Sequence, residues 1–401
     1  MPDNALPRSR APAVLQVLPS LRDDAQGRAA LDLARAVARE GWRSHVASAG
    51  GTLERELVGS GVRHHRLPLE GVGPFAIWLN AARLTRLARE HEVEVIHAAA
   101  RRTAWSAGFA AKRTGAAFLT TVDAIHGDGG WGGLRRRYNR VLVAGERIIA
   151  VSEHVAEHLE RAYGVEPGRV RIVRPGIDMA AFDAERVRGH RVAALAERWH
   201  LGFERKIVML PGPVARAGGH HLMLRAMRRL ARRDFTLLVV GDVERDAAYV
   251  RRIEVQARRE GLTERVHFAG PCDDLPAAYM LADLVVVPAL QAEGYVRPAI
   301  EAQAMGKLVI VNNTGGLDET VKPVATGWLV RAEDPAELAW ALDLALSISD
   351  DDKARHARHA RGFVAHEFSL EQMCRKTLAV YRELVRRHEA VAAEPAAAEA
   401  G

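Results

Sequence analysis

Cysteine is almost missing from this chain: its 401 residues hold two, Cys272 and Cys374. They stand far apart, so no disulfide framework and no cysteine metal spacing is spelled out, and a reducing cytoplasm is the expected setting. Long apolar runs are missing as well. No stretch approaches the roughly 18 apolar residues that a membrane-spanning helix needs. The polar, proline-containing start Met1–Pro12 lacks an apolar signal core, which argues against secretion. No short tandem repeat occurs, and no nucleic-acid recognition motif accompanies the basic residues. No metal site is apparent: the acidic run Asp350, Asp351 and Asp352 reads as a charge cluster at a helix start.

What is present is positive charge. The formal net charge is +7, which nucleic acid, anionic lipid or a phosphate-bearing substrate would answer, as would a plain arginine-rich composition. Hydrophobic content is 48%, ordinary for a globular protein, and the length exceeds one ordinary core, so two domains are expected.

Short β-rich apolar runs alternate with helical patterns in two series. The first holds Val14–Leu18, Ser44–Ala47, Val62–Leu67, Val93–His97, Phe118–Val122, Ile148–Val151 and Val170–Val173, with helix-length segments such as Gly27–Glu40, Phe75–Glu90 and Thr103–Thr114 between them. The second holds Lys206–Leu210, Phe235–Val240, Val266–Ala269, Leu284–Val287, Leu308–Val311 and Trp328–Val330. Such alternation predicts an α/β fold with parallel sheets and crossover helices. A disordered start over 1–12, a first Rossmann-like domain over 13–190 and a second over 191–368 are expected, with the linker near His190–Gly202. A closing helix over 369–387 either crosses back to the first domain or packs on the second, and a disordered Ala/Glu-rich tail over 388–401 follows.

The richest segment runs from Val285 to Glu301. A buried strand ends at Pro288, a loop with Glu293 and Gly294 follows, and a helix begins near Arg297 or Pro298, where proline is well tolerated. Backbone N–H groups of Gly294, Tyr295 and Val296 at a helix start suit phosphate or sugar oxygens. Carboxylates accept from hydroxyls, so Glu293 suits the sugar and Glu301 the ribose. A surface loop with one N-terminal carboxylate would give the same spacing.

Together with Ala302–Gly306, Leu308–Val311, Gly315–Gly316, Glu319–Val321 and Gly327–Val330, this segment resembles retaining glycosyltransferases of family four. Further likeness lies in Ile149–Ser152 with His154, Tyr163–Val165, Arg174–Asp178, Val239–Asp242 and Tyr381–Leu384, so it spans roughly Val14 to Leu384. The resemblance implies the GT-B architecture: two facing Rossmann-like domains with a cleft between them. It also implies a nucleoside diphosphate sugar held mainly by the second domain, with no obligatory metal and no further cofactor.

Three places depart from the family pattern. After the first strand of the second domain, Pro213 occupies the usual arginine position beyond Gly212, and Gly218 the usual lysine position. Arg216 is the nearest remaining cation, either serving the diphosphate from a shifted place or merely solvated. After the first strand of the chain, Asp23 and Asp24 replace paired glycines. Gly27 and Arg28 there form either an anion-binding helix start or, as the favoured reading, a plain capped one. Asp123 stands where the family often has a histidine facing the sugar, as a hydrogen-bond acceptor or a loop cap, with His126 close behind. His97 reads as a packed histidine.

On the helical stripe Phe75, Ile77, Trp78, Leu79, Leu84 and Leu87, a docked helix is favoured over an interfacial one, with Arg83, Arg86 and Arg89 opposite. Arg135, Arg136 and Arg137 add charge nearby. The resemblance implies transfer of a sugar to a glycan or lipid-linked acceptor in cell-envelope polysaccharide or lipopolysaccharide synthesis. The expected setting is cytoplasmic, either free or peripheral at the membrane's inner face, with no nucleic-acid partner. The alternatives are a catalytically weak binding or scaffolding subunit and, more remotely, a sugar-nucleotide epimerase or hydrolase.

Overall fold

The computed structural model describes residues 10–125, 133–202, 204–244, 246–290 and 296–398, with side chains as far as Val391. The chain divides into two compact units, Met1–Gly176 with Glu371–Gly401, and Ile177–Leu370.

In the first unit the apolar runs form β1 (Ala13–Val17), β2 (Arg43–Ser48), β3 (Arg63–Arg66), β4 (Val95–Ala98), β5 (Ala117–Val122), β6 (Arg147–Ala150) and β7 (Val170–Ile172). In the second they form β8 (Lys206–Pro211), β9 (Phe235–Val240), β10 (Val266–Gly270), β11 (Leu284–Val287), β12 (Leu308–Asn313) and β13 (Trp328–Arg331). The strand orders are β3-β2-β1-β4-β5-β6-β7 and β10-β9-β8-β11-β12-β13. Every pairing between named strands is parallel. Parallel sheets carry helices on both faces, which is why the inner strands read as unbroken apolar runs. Leu15, Val17 and Ile96 pack under Leu84, Leu87 and Ala104, while Val46 packs under Leu31 and Ala34 on the other face. In the second unit Val285 and Val309 meet Ala299 and Ile300, and Val286 and Ile310 meet Leu222 and Leu338. Each such valine, leucine or isoleucine side chain contributes about 1.5–3 kcal/mol by leaving water. Strand order reverses between β1 and β4 and between β8 and β11, the places where such sheets bind ligands past their carboxyl ends.

The boundary between units differs from the expected one near residue 190. Ile177 and Phe182 are buried in the second unit's core with Leu195 and Trp199. The polar surface of the helix Gly189–Arg198 gave this segment the look of a linker, but its Arg191 pairs with Asp274 at 2.5 Å and its apolar side is covered. The last helix, Leu370–Ala398, extends past the expected end at 387 into the alanine-rich tail, alanine being the strongest helix former. From Glu371 onward it belongs to the first unit: Tyr381 reaches His97, and Glu383 accepts from Arg147 at 2.7 Å and Arg171 at 2.9 Å. At the other end, Pro12 accepts from the Arg43 N–H at 2.8 Å and Arg10 pairs with Glu92, so the described part of the 1–12 stretch is tied down.

Phe75 and Trp78 depart from the docked stripe. The buried face of the helix Pro74–Glu90 is Asn80, Ala81, Leu84, Thr85, Leu87 and Ala88, whereas Phe75 is 75% and Trp78 57% exposed. No described helix is long and apolar enough to cross a membrane.

Candidate functional site

In the second unit the two strands flanking the order reversal, β8 and β11, send their following loops to one place. The Leu290 N–H donates to the Ala217 carbonyl at 2.8 Å, joining them. Gly219, which starts the helix His220–Arg229, is pressed against the second loop: a Cβ there would lie 1.8 Å from the Pro288 oxygen, and φ is +72°. Only glycine fits this left-handed close approach. Gly212 follows β8 and donates its N–H to the Val240 carbonyl at 2.9 Å, and Pro213 is exposed. Arg216 lies in the short turn Arg216–Gly218, exposed and with no ion pair among the described residues. His220 behind it is buried, pushed down to about 4 by burial, and stands edge-on to Tyr249, so it packs as a neutral ring.

Past β11, residues 291–295, which include Glu293, Gly294 and Tyr295, lie outside the described residues, as does His126. The chain resumes at Val296, which precedes the helix Arg297–Ala304 with Pro298 in its first turn. Glu301, one turn in, is 3% exposed. Its Oε1 accepts from Arg297 Nε at 3.0 Å and its Oε2 from the Tyr279 hydroxyl at 3.1 Å. Burial raises its pKa, while Arg297 and Tyr279 pull the other way. A carboxylate has about four acceptor positions, so two remain for a ligand's hydroxyls.

Two tethers here escaped the sequence reading. Tyr279 is 22 residues from Glu301 and carries no local signal. Asn312, whose Nδ2 donates to Ala289 at 3.0 Å, closes an otherwise apolar strand, and that polar ending was the readable sign.

In the first unit, Asp24 caps the helix Ala25–Arg39 by accepting from the Gly27 N–H at 2.8 Å. A Cβ on Gly27 would lie 2.0 Å from the Arg22 oxygen, so this glycine serves a tight backbone approach. Arg28 is fully engaged: its guanidinium holds Asp23 through two bonds of 2.6 and 2.7 Å, and Glu56 at 3.1 Å. These acids raise its pKa further. The capped-helix reading of Gly27 and Arg28 is thus what the structure shows. Gln26 Nε2 donates to Ala99 at 2.8 Å, linking the helix start to the end of β4 beside the order reversal. Asp123 follows β5 and is exposed, with no capping bond or ion pair among the described residues. His97 is buried, with Nδ1 on Tyr381 Oη and Nε2 on Thr121 Oγ1, both at 2.7 Å, and is a packed histidine.

Comparison with known proteins places this architecture. Residues 26–181 match the model for Glycosyltransferase Family 4, and residues 196–362 the model for Glycosyl transferases group 1. A solved glycosyltransferase from Rickettsia africae is 28% identical, with a TM-score of 0.85 over 94% of this chain and 99% of that one. The chain pairs a family 4-like and a group 1 glycosyltransferase domain in the GT-B fold. Anabaena HepE in complex with UDP-glucose shares this fold at 19% identity, with a TM-score of 0.77 over 92% of this chain and 99% of its own. The D-inositol 3-phosphate glycosyltransferase of Salinispora tropica is 33% identical over 267 residues, 62% of this chain and 53% of its own. That of Xylanimonas cellulosilytica is 31% identical over 256 residues, 63% of this chain and 60% of its own. The match therefore spans little more than half the length of these curated relatives.

Proposed function

We propose that this chain transfers a sugar, with retention of anomeric configuration, from a nucleoside diphosphate sugar to a glycan or lipid-linked acceptor of the cell envelope. The observation that carries this reading is the pair of joined loops past β8 and β11, the second of which leads on in sequence to the helix bearing Glu301, with Arg216 unpaired among the described residues. The diphosphate would lie along Gly212–Gly219, with Arg216 replacing the cations that Pro213 and Gly218 cannot supply. Its guanidinium can grip phosphate in a bidentate manner. Backbone N–H groups of Gly294, Tyr295 and Val296 complete the anion site, with Arg297 steadying Glu301. Glu301 takes the ribose hydroxyls and Glu293 the sugar. Asp123 and His126 serve the acceptor side, and Gly27 shapes that unit's phosphate-side loop.

Anabaena HepE holding UDP and UDP-glucose in the same fold supports a nucleotide-sugar donor. The exposed Phe75 and Trp78, with exposed Arg86 and Arg89 along the same helix, suit peripheral contact with an anionic membrane face. The loss of the two family cations favours a second reading, a catalytically weak binding subunit for an active transferase.

Thermal unfolding with a panel of nucleoside diphosphates and their sugars tests the donor site. A true ligand at about 100 times its Kd adds about 2.7 kcal/mol. Glu301→Ala should weaken nucleotide binding, measured by calorimetry on the folded variant. Stabilisation by none of these ligands would remove the donor-site reading.

A further inference from the structure

We propose that His45, His65 and His91 form a site for one divalent transition ion of the zinc type, in the first unit and away from the strand-end loops. The three come from separate elements. His45 is the third residue of β2, His65 lies on the edge strand β3, and His91 ends the helix Pro74–Glu90. Register explains the first pairing: His45 is opposite Arg63 and Ala47 opposite His65, so the two histidines are diagonal neighbours on one face of the sheet.

One ring nitrogen from each histidine lies within 4.8 Å of the other two. Nδ1 of His45 and Nε2 of His65 are already 3.0 Å apart. Two ligand nitrogens in a tetrahedral zinc site, with bonds of about 2.0–2.1 Å, stand about 3.3 Å apart. The ring centroids are 4.6, 5.0 and 5.3 Å from one another, so the imidazoles pack mainly on each other. His45 is buried and the other two half-buried, which shields the bonds yet leaves a path for the ion. Burial and mutual repulsion hold His45 and His65 neutral at ordinary pH, leaving lone pairs for a metal.

A cavity of about 230 Å³ borders His45 and His91 and leaves room for a fourth ligand. Arg10, Arg43 and Arg63 line it, so that ligand would be water or a small anion. The arginine charges oppose a cation, but Glu92 pairs with both Arg10 and Arg43 and offsets part of that repulsion. The ion would also fasten β3, which reads Arg-His-His-Arg and buries no apolar side chain of its own. Without an ion, the same residues form only a hydrogen-bonded, stacked pair with a third ring tilted against it.

The test uses the full-length chain without a histidine tag, stripped of metal by a chelator. It is titrated with Zn²⁺ by calorimetry and with Co²⁺ by visible absorption, whose band intensity distinguishes a tetrahedral site. The expected result is saturation at one ion per chain, with tetrahedral cobalt bands. His65→Gln and His91→Gln, each checked for native circular dichroism, should weaken binding by at least about tenfold, as losing part of a metal site does. His366→Gln, on an exposed histidine elsewhere, should change neither readout. Absence of one-to-one binding by the unmodified chain overturns the proposal without any variant. Undiminished affinity in both His65→Gln and His91→Gln overturns it equally.

Discussion

His97, the third residue of β4, is a neutral ring between Tyr381 and Thr121, and burial lowers its pKa from the usual 6.5 to about 3. The unfolded chain takes up a proton on this residue where the folded one does not. Its contribution to stability is therefore complete above about pH 6.5 and is lost as the pH falls from there towards about 3. For His97 alone the loss between pH 7 and pH 5 should be about 2 kcal/mol. Denaturant unfolding at those two pH values should show a smaller drop for His97→Gln than for the unmodified chain. Equal drops would mean that the buried ring is not the source.

At this scale the sequence was legible where a residue's role is local. The Asp24 cap sits three residues before Gly27 and can be read from spacing. Arg28 could not be resolved, because its second acid, Glu56, lies 28 residues away and only the fold brings it near.

Among the elements, strands were the most legible, since a parallel sheet covered on both faces demands short apolar runs between turn residues. Phe235–Val240 and Leu284–Val287 carry the bounds expected of them. Helix faces were harder. Phe75 and Trp78 fit an apolar stripe, yet they stand before the turns that dock, and the first turn of that helix is exposed. Loop contacts left no periodic trace at all, and Gly219 shows the consequence. Gly219→Ala places a methyl 1.8 Å from the Pro288 oxygen at φ +72°. It should cost at least about 1–3 kcal/mol and weaken nucleotide binding by moving the loop past β11. Gly261→Ala is the control, with φ +66° but open space around its Cβ. Urea unfolding and nucleotide calorimetry that found the two variants alike would contradict a role for the Gly219 contact.

Across the whole molecule, two Rossmann-like units were readable from alternation, but their boundary was not. Segment 177–190 looks polar, and the buried Ile177 and Phe182, spaced too widely to form a pattern, anchor it in the second unit with Met179, Ala184 and Val187 packed beside them. The destination of the last helix was likewise open until Tyr381 and Glu383 found His97, Arg147 and Arg171. The helix start at Arg297 and the place of Glu301 one turn inside it were legible in the sequence, while the pairing of Arg28 needed the fold. Arg28 is neutralised by Asp23 and Glu56, so the proposed substitute for Pro213 and Gly218 is Arg216, which has no ion pair among the described residues.

Sugar transfer from a panel of nucleoside diphosphate donors, with cell-envelope acceptors present, tests that assignment directly. Arg216→Ala should lower transfer on the order of 10²–10³-fold, the usual effect of removing one charge-stabilising group, with Tm little changed. Arg28→Ala should lower it far less. Transfer that survives Arg216→Ala intact, or no turnover with any donor, would contradict an enzyme that works through Arg216.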